Sequence, residues 1–532
     1  MTAGAGLAFG FAAFAAAFAQ PLADPDLGTR LRTGEWIAAH RALPRTELFA
    51  WTRAGEPFFA YSWLAEVTYH AAERLGGATG LRLVHALTYA AALASVLLLA
   101  RVYRLRPLPS ALLASGHLLT LWGTTPYLRT QSLMAVAIPL CWAGAVRLAS
   151  CEREERWPYA ALLGGAALAA NVHLLAPLCA STLAILLPRL RSAPRRVLLG
   201  SGAVLLGLVA TPNARDWLAI WRLNFAPNPI YSYPTLIAEY MPGVVAHARG
   251  PSVFTLVAVV LLALPWWRPA EAAPVSSGGP GAALERLMLA ALWCVGAALF
   301  ATTAKGLWVW WLVSLPLLAE RLVGLPEVRS APVRRACVVL AALLGVMPGL
   351  SNAARQGPTL GREADLVQHA LPTPLTRAAL ALADTLDALA PGGCGRVVTT
   401  FNYGNVLLGR LPRYSLSIDG RTIFPDSIAR SESLTSADFP VLPVAPIAGA
   451  DAAILPAGHR FEGELARRPE WHLMARAVVH PVGPLDRDTV ATLWGRTDRA
   501  AETITLPALP TCDTAPLVRA ARSASGSAVP GA

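Results

Sequence analysis

Runs of apolar residues long enough to cross a bilayer recur along the chain, separated by short stretches that collect arginine. A hydrocarbon core takes about 20 residues of helix. The pattern predicts spans near 2–20, 80–100, 108–125, 132–149, 197–211, 251–267, 286–303, 306–320 and 334–350. The run 158–188 is long enough for one tilted helix or for two short ones folded around Asn171-Val172-His173. Arginine placement decides between them, because short inner loops collect Arg and Lys. The clusters Arg101/Arg104/Arg106, Arg147/Arg153/Arg156, Arg189/Arg191/Arg195/Arg196 and Arg321/Arg329/Arg334/Arg335 share one side only if that run crosses twice. About eleven spans result. The N-terminus is then inside, and the segment 21–79, the loop 212–250 and everything after 351 are outside. Segment 2–20 lacks the basic region that opens a secretory signal, so it is expected to persist as the first span.

The periodicity changes near residue 353. Segment 362–391 reads as helix, and short β-rich runs follow at 396–401 (RVVTTF), 414–419 (YSLSID), 451–456 (DAAILP) and 490–495 (VATLWG). Strands separated by the helix-like NVLLGRLP predict a small α/β domain over 353–515. The FNYGN stretch at 401–405 marks a strand-to-helix turn, of the kind that binds a phosphate or is simply a turn. The Ala/Ser/Gly-rich end, 516–532, is expected to be disordered. The fold class is therefore a polytopic α-helical membrane protein carrying a C-terminal soluble α/β domain. Residues 1–352 form its transmembrane part, with a large first outer loop.

Composition agrees. Of 532 residues, 55% are hydrophobic and only 15% charged, too apolar a balance for a soluble protein. The net charge of +12 sits in arginines between apolar runs, where orientation in the bilayer explains it, so no nucleic acid partner is expected. The seven cysteines form no CxxC pair and no His/Cys group at zinc-like spacing, which argues against a structural metal. Cys394 and Cys512 fall in the polar C-terminal region and can pair if it faces an oxidising compartment.

With this topology, Asp24, Asp26, Arg129, Gln131, Asn171, His173, Asn213, Glu239 and Lys305 all come out near span ends on the outer side. The inner loops offer mainly arginine and a Pro/Ser/Gly stretch at 269–281. Two carboxylates at the mouth of a span can act as a general base, as metal ligands or as a polar cap on the loop. A proton-coupled carrier needs an acid within the membrane. No Asp or Glu lies inside an assigned span except Glu320 at an inner boundary, and His117 alone speaks for transport. A core histidine bonded to a neighbouring helix is the plainer reading of it.

The first outer loop opens with Asp24-Pro25-Asp26 and continues through GEWI (34–37), PRTELF (44–49) and WLAE (63–66). LRTQ (128–131), NVH (171–173), TPNA (211–214), IAEY (237–240) and SIDGR (417–421) follow. In this order the motifs resemble the C-type (GT-C) superfamily of membrane glycosyltransferases. They are closest to bacterial members whose first outer loop runs Asp-x-Asp, Gly-x-x-Ile, Pro-x-x-Asp-x-Phe, Trp-Leu-x-Glu. The resemblance implies inverting transfer of a sugar from a polyprenyl-phosphate carrier to an envelope glycan, lipid or protein, at the outer face of a bacterial inner membrane. A periplasmic C-terminal domain goes with it.

By position, the family's first-loop acid falls on Asp24, with Asp26 as its partner, and it serves as base or as ligand to a divalent cation. Arg129 and Lys305 are then candidates to stabilise the departing phosphate, while Asn171, His173 and Asn213 are either orienting contacts for sugar hydroxyls or satisfied polar groups at span ends. Gln131 and Glu239 complete the set of substrate contacts. The chain departs from the pattern in three places. LGTRLRTG (27–34) lacks the Trp and His that follow Asp-x-Asp in relatives, Leu174 and Leu175 stand where glycines follow Asn-x-His, and only Pro212-Asn213 remains of an Asn-Pro-Tyr-Gly. A non-catalytic component of polysaccharide assembly that has kept the fold is the alternative function.

Overall fold

Each predicted apolar run that falls on described residues forms a helix. The computed structural model describes residues 3–20, 22, 24, 26–124, 128–150, 155–225, 281–303, 306–325, 327–355, 374–417, 449–479, 489–498, 503–506 and 509–526. The predicted span 251–267, together with Glu239 and Lys305, lies outside them.

In chain order the helices are α1 (Ala3–Phe18), α2 (Leu27–His40), α3 (Trp63–Val102), α4 (Pro107–Thr124), α5 (Met134–Ser150), α6 (Trp157–Val172), α7 (Leu183–Leu186), α8 (Pro194–Val209) and α9 (Trp217–Phe225). They continue with α10 (Ala282–Thr302), α11 (Gly306–Val323), α12 (Ala331–Arg355), α13 (Pro374–Leu389), α14 (Phe401–Arg410), α15 (Arg460–Ala466) and α16 (Ala515–Gly526). The strands are β1 (Gly395–Thr399), β2 (Tyr414–Leu416), β3 (Ala452–Pro456), β4 (Trp471–Val479), β5 (Thr489–Arg496), β6 (Thr503–Leu506) and β7 (Leu509–Asp513).

Among the described residues, 5 helices are long and apolar enough to cross a membrane, or 6 if the pair 194–209 and 214–224, bent by 91°, is one span. The protein is thus a multi-pass membrane protein, with fewer full-length spans in the described residues than the eleven expected. The second leg of the 158–188 run explains part of the difference. It is built of 3₁₀ turns and the four-residue α7, with Pro177 and Pro188 interrupting α-helical pairing.

The chain packs as two units, one of residues 1–21, 79–221 and 231–361, the other of 22–78, 222–230 and 362–532. The helix-rich first unit is held by polar side chains that donate to main-chain oxygens of neighbouring helices, a device suited to a medium without water. Gln20 Nε2 donates to Gly349 O, Ser115 Oγ to Ala341 O, Trp122 Nε1 to Gly345 O and Trp142 Nε1 to Leu312 O. Small residues set the closest crossings. A Cβ on Gly165 would lie 2.9 Å from Ala137 O, and one on Gly207 2.6 Å from Leu163 O.

His117 belongs to this framework. One ring nitrogen, Nε2, donates to Ala135 O at 3.0 Å, and the other, Nδ1, accepts from Trp311 Nε1 at 3.1 Å. Both nitrogens of a buried neutral ring are therefore engaged, and α4, α5 and α11 are tied at one point. This is the core histidine of the plainer reading, and the support for a transporter falls with it.

In the second unit, a five-stranded sheet runs β2-β1-β3-β5-β4. Its first three strands are parallel, and β5 is antiparallel to both neighbours. Alternation of side chains explains its two cores. Val397, Ala452, Ile454 and Leu493 face α13, α14 and α16. Their chain neighbours Val398, Ala453, Leu455 and Trp494 face Phe461 and Leu465 of α15.

The first outer loop is built into this unit. Leu48 and Phe49 enter the larger core. Phe49 O accepts from Leu416 N (3.1 Å) and Ser415 Oγ (2.7 Å), so the segment extends the β2 edge. The sequence assigned this loop to the transmembrane part, whereas by packing it falls in the second unit with the sheet.

Other sequence expectations shift in detail. RVVTTF yields a strand only to Thr399, because Thr400 is already the N-cap of α14. The edge strand β4 was not anticipated. Of the tail expected to be disordered, 516–526 are helical within α16, since Leu517, Val518 and Ala521 bury one face. Residues 527–532 lie outside the described set.

Cys394 is disulfide-bonded. Its sulfur lies 3.3 Å from the main-chain oxygen of Asp513, the residue after Cys512. Reduction is expected to lower the stability of this unit by about 2–4 kcal/mol. Thermal unfolding with and without dithiothreitol measures it.

His459, the N-cap of α15, supplies a second prediction. Its Nδ1 accepts from Phe461 N at 3.2 Å, and its buried Nε2 has no partner. Burial lowers the imidazole to about 4. The unfolded chain, with an ordinary imidazole near 6.5, then binds the proton more tightly. Stability is fully present above about pH 6.5 and is lost as pH falls towards 4, by roughly 3 kcal/mol in all. His459→Asn keeps an acceptor for the cap and removes the titration. Its unfolding temperature should therefore vary less than the wild type's between those pH values.

Candidate active site

Asp24 and Asp26 lie in the second unit, where the chain enters α2. Asp24 is 1% exposed. Its Oδ1 accepts the N–H of Asp26 at 3.2 Å, and its main-chain oxygen accepts from Leu27 N at 3.1 Å. Asp26 is the N-cap residue, so both carboxylates stand at the positive end of the helix dipole.

One turn on, Arg30 faces them. Its Nη2 is 3.8 Å from Asp26 Oδ2, and its Nη1 is 3.8 Å from Glu66 Oε1 and donates to Ser62 Oγ at 3.1 Å. Ser62 Oγ donates in turn to Glu66 Oε1 at 2.7 Å. Glu66 is buried, as is Tyr69 one turn further along α3. Burial works against the Arg30 charge, yet Asp26, Asp24 and Glu66 together raise the guanidinium above its ordinary value. Burial also raises the Tyr69 phenol, with Arg30 opposing and the two acids assisting.

Gly34 makes this arrangement possible. A Cβ there would lie 2.2 Å from Glu66 O, so only glycine lets α2 cross α3 at the level of Glu66. The cluster thus holds three carboxylates and one guanidinium. It suits a proton acceptor held at a fixed position. A divalent cation at Asp24/Asp26 fits less well. The Arg30 guanidinium already faces the pair, and no group of three His, Cys, Asp or Glu that could hold a metal occurs among the described residues.

The remaining described candidates fall in the first unit. Asn171 Nδ2 donates to Ala167 O (2.7 Å) and Ala210 O (2.8 Å), tying the end of α6 to the end of α8. Asn213 follows that end and is buried, its N–H directed at Thr211 Oγ1 (3.3 Å). His173 is the C-cap of α6; its Nδ1 accepts from Leu175 N, and its ring meets Trp308 edge-on at 5.6 Å. Gln131 lines a cavity with His117, Thr120, Thr124, Trp308 and Trp311. Arg129 precedes the 3₁₀ turn Thr130–Leu133 as its N-cap.

Sequence reasoning missed four residues. Arg30 and Glu66 were passed over, although Glu66 closes a quoted motif. Arg82 and His85 were absorbed into an apolar window, yet both are only 2% exposed at the start of a span. A buried arginine in a span is costly enough to mark a functional position. The His85 ring lies 4.8 Å from Tyr89, which packs on Trp122 at 4.2 Å.

No family model matches the sequence, and neither does any curated protein. The fold is similar to those of three solved membrane-enzyme structures. It is similar to arabinofuranosyltransferase AftD from Mycobacteria, with a TM-score of 0.55 and 16% identity over 94% of this chain and 40% of that one. The chain therefore spans about two fifths of that protein's length. It is also similar to ArnT from Cupriavidus metallidurans bound to undecaprenyl phosphate, with a TM-score of 0.50 and 14% identity over 92% of this chain and 97% of that one. A third is the archaeal oligosaccharyltransferase AglB from Archaeoglobus fulgidus, in complex with an inhibitory peptide and a dolichol-phosphate. There the TM-score is 0.50 and the identity 11%, over 85% of this chain and 69% of that one.

Proposed function

We propose that this chain is a membrane glycosyltransferase that moves a sugar from a polyprenyl-phosphate carrier to a hydroxyl acceptor on the outer face of a bacterial inner membrane. The observation that carries the reading is the buried Asp24 carboxylate at the start of α2, facing an arginine, in a fold shared with such enzymes. Asp24 takes the proton of the acceptor hydroxyl as its oxygen attacks the anomeric carbon. The bond from that carbon to the carrier phosphate breaks, and the phosphate leaves with the electron pair. Attack opposite the leaving group inverts the centre. Asp26 fixes Asp24 through its N–H.

Arg82 joins Arg129 and Lys305 as a candidate to hold the carrier phosphate, arginine being able to do so by two parallel hydrogen bonds. The disulfide at Cys394 supports an oxidising, extracytoplasmic setting for the soluble domain. The acceptor class is an envelope glycan, lipid or protein. Comparing lipid-linked sugars and surface glycans by mass spectrometry, in cells carrying wild-type or Asp24→Asn protein, tests the reading.

A further inference from the structure

We infer a second ligand site, a phosphate-binding crevice at the carboxyl ends of β1 and β3, formed by the first turn of α14, Thr400 and His459. Nothing in it depends on the reading of Asp24.

Topology makes the crevice. β1 and β3 are parallel neighbours, yet the chain leaves them towards opposite faces of the sheet. α14 packs over the side of Val397 and Ile454, and α15 over the side of Val398 and Leu455. Open α/β sheets take their ligands at the carboxyl ends of strands whose connections part in this way. The register sets Thr399 beside Ile454, so Thr400 comes level with Leu455, about 4.8 Å away across the ladder. After β3 the chain turns tightly, His459 N donating to Pro456 O at 3.2 Å, which keeps His459 at the end of that strand. The His459 ring stacks on Phe461, a member of the Val398 and Leu455 core, with 5.9 Å between centroids. Alternation puts Thr400 on the same face, two residues beyond Val398.

Two buried groups at this point satisfy nothing in the fold. Thr400 is 4% exposed, and its Oγ1 has no hydrogen-bond partner among the described residues. Although Thr400 is the N-cap residue of α14, its side chain does not cap the helix. His459 is 7% exposed. Its Nδ1 accepts from Phe461 N, so the neutral ring carries its proton on Nε2, which likewise has no partner among the described residues. Tyr403 N and Gly404 N donate to Thr400 O. The N–H groups of Phe401 and Asn402 stand before them at the head of the helix, where no intrahelical carbonyl reaches.

The set consists of donors: two main-chain N–H groups at the positive end of a helix dipole, an imidazole N–H and a hydroxyl. That chemistry selects an oxyanion, and a helix N-terminus with neutral donors suits phosphate. Glu462, the acid closest in sequence to His459, is turned to Gly458 N at 2.6 Å. The ligand is therefore a phosphate group, free or esterified to a sugar or a prenol.

Stability separates this role from a structural one. A buried hydroxyl without a partner destabilises the folded state. Thr400→Val keeps the shape and removes the hydroxyl, so it should raise the unfolding temperature while weakening phosphate binding. A threonine that served only the fold would show no such opposition.

The experiment uses full-length protein purified in dodecyl maltoside, a detergent without phosphorus. Inorganic phosphate, glucose 1-phosphate and citronellyl phosphate are titrated separately, and binding is read from broadening of the phosphorus NMR line. For at least one of the three, Thr400→Val and His459→Asn should each raise Kd about 10-fold or more, and Thr400→Ser should bind as the wild type does. His459→Asn keeps the cap of α15 and decides the matter alone if Thr400→Val does not fold. The compound that loses most affinity in the variants names the source: the carrier lipid, a sugar phosphate or the free ion. Affinities unchanged for all three in both variants, or no broadening by wild type, overturn the proposal. If Asp24→Asn leaves cellular glycans unchanged while the variants lose phosphate, the crevice stands and the glycosyltransferase reading fails.

Discussion

Asp24→Asn should reduce sugar transfer about 10²–10⁴-fold, the span expected when a general base is lost, with the protein still inserted in the membrane at wild-type levels. The amide has the shape of the carboxylate, and its oxygen still accepts the N–H of Asp26, so the entry into α2 is preserved. What disappears is the capacity to take a proton. Asp26→Asn should have a smaller effect, because the contact to Asp24 runs through the Asp26 main chain. Its side chain is also 33% exposed, which weakens its hold on Arg30. The measurement compares glycan and lipid-linked sugar pools in cells that carry each variant as their sole copy. If the double variant Asp24→Asn/Asp26→Asn leaves both pools as in wild type, the chain is a GT-C-like assembly component that has kept the fold without the chemistry.

The membrane helices were legible in the sequence because their signal is local. A window of apolar residues becomes a helix wherever hydrocarbon denies its main chain any other hydrogen-bond partner. β3 and β5 were legible for the same reason, being short, apolar and bounded by turn residues. β4 was not, since an edge strand half open to solvent, WHLMARAVV, shows neither clean alternation nor a continuous apolar run.

The place of the first outer loop was also hidden. Its attachment to the second unit includes hydrogen bonds to the Phe49 main-chain oxygen from Leu416 N and the Ser415 hydroxyl, and these leave no periodic trace in either segment. Asp24 and Asp26 stood out as acids in a chain poor in them. Arg30 did not, because it was one arginine among many and its partner Glu66 belongs to a different helix. Arg82 and His85 went unnoticed because two polar residues do not break a hydropathy average. The cost of burying them becomes visible only once the helix is packed.

Gly34→Ala is the substitution expected to damage the fold of this site most for the fewest atoms added. On propensity alone it should help, since alanine within a helix is favoured over glycine by roughly 0.5–1 kcal/mol. The added methyl, however, would sit 2.2 Å from Glu66 O and 2.9 Å from His70 Cβ. The nearest obstacle is main chain of α3, which cannot swing aside as a flexible side chain can. The two helices must separate, at an overpacking cost of about 1–3 kcal/mol or more, and the steric term outweighs the propensity gain. Gly76→Ala is the control, because that position has no neighbour within 4 Å and should keep or slightly raise the unfolding temperature. Separation of the helices would also carry Glu66 and Ser62 away from Arg30. An unfolding temperature for Gly34→Ala equal to that of Gly76→Ala would show that the crossing of α2 and α3 is not set at this glycine.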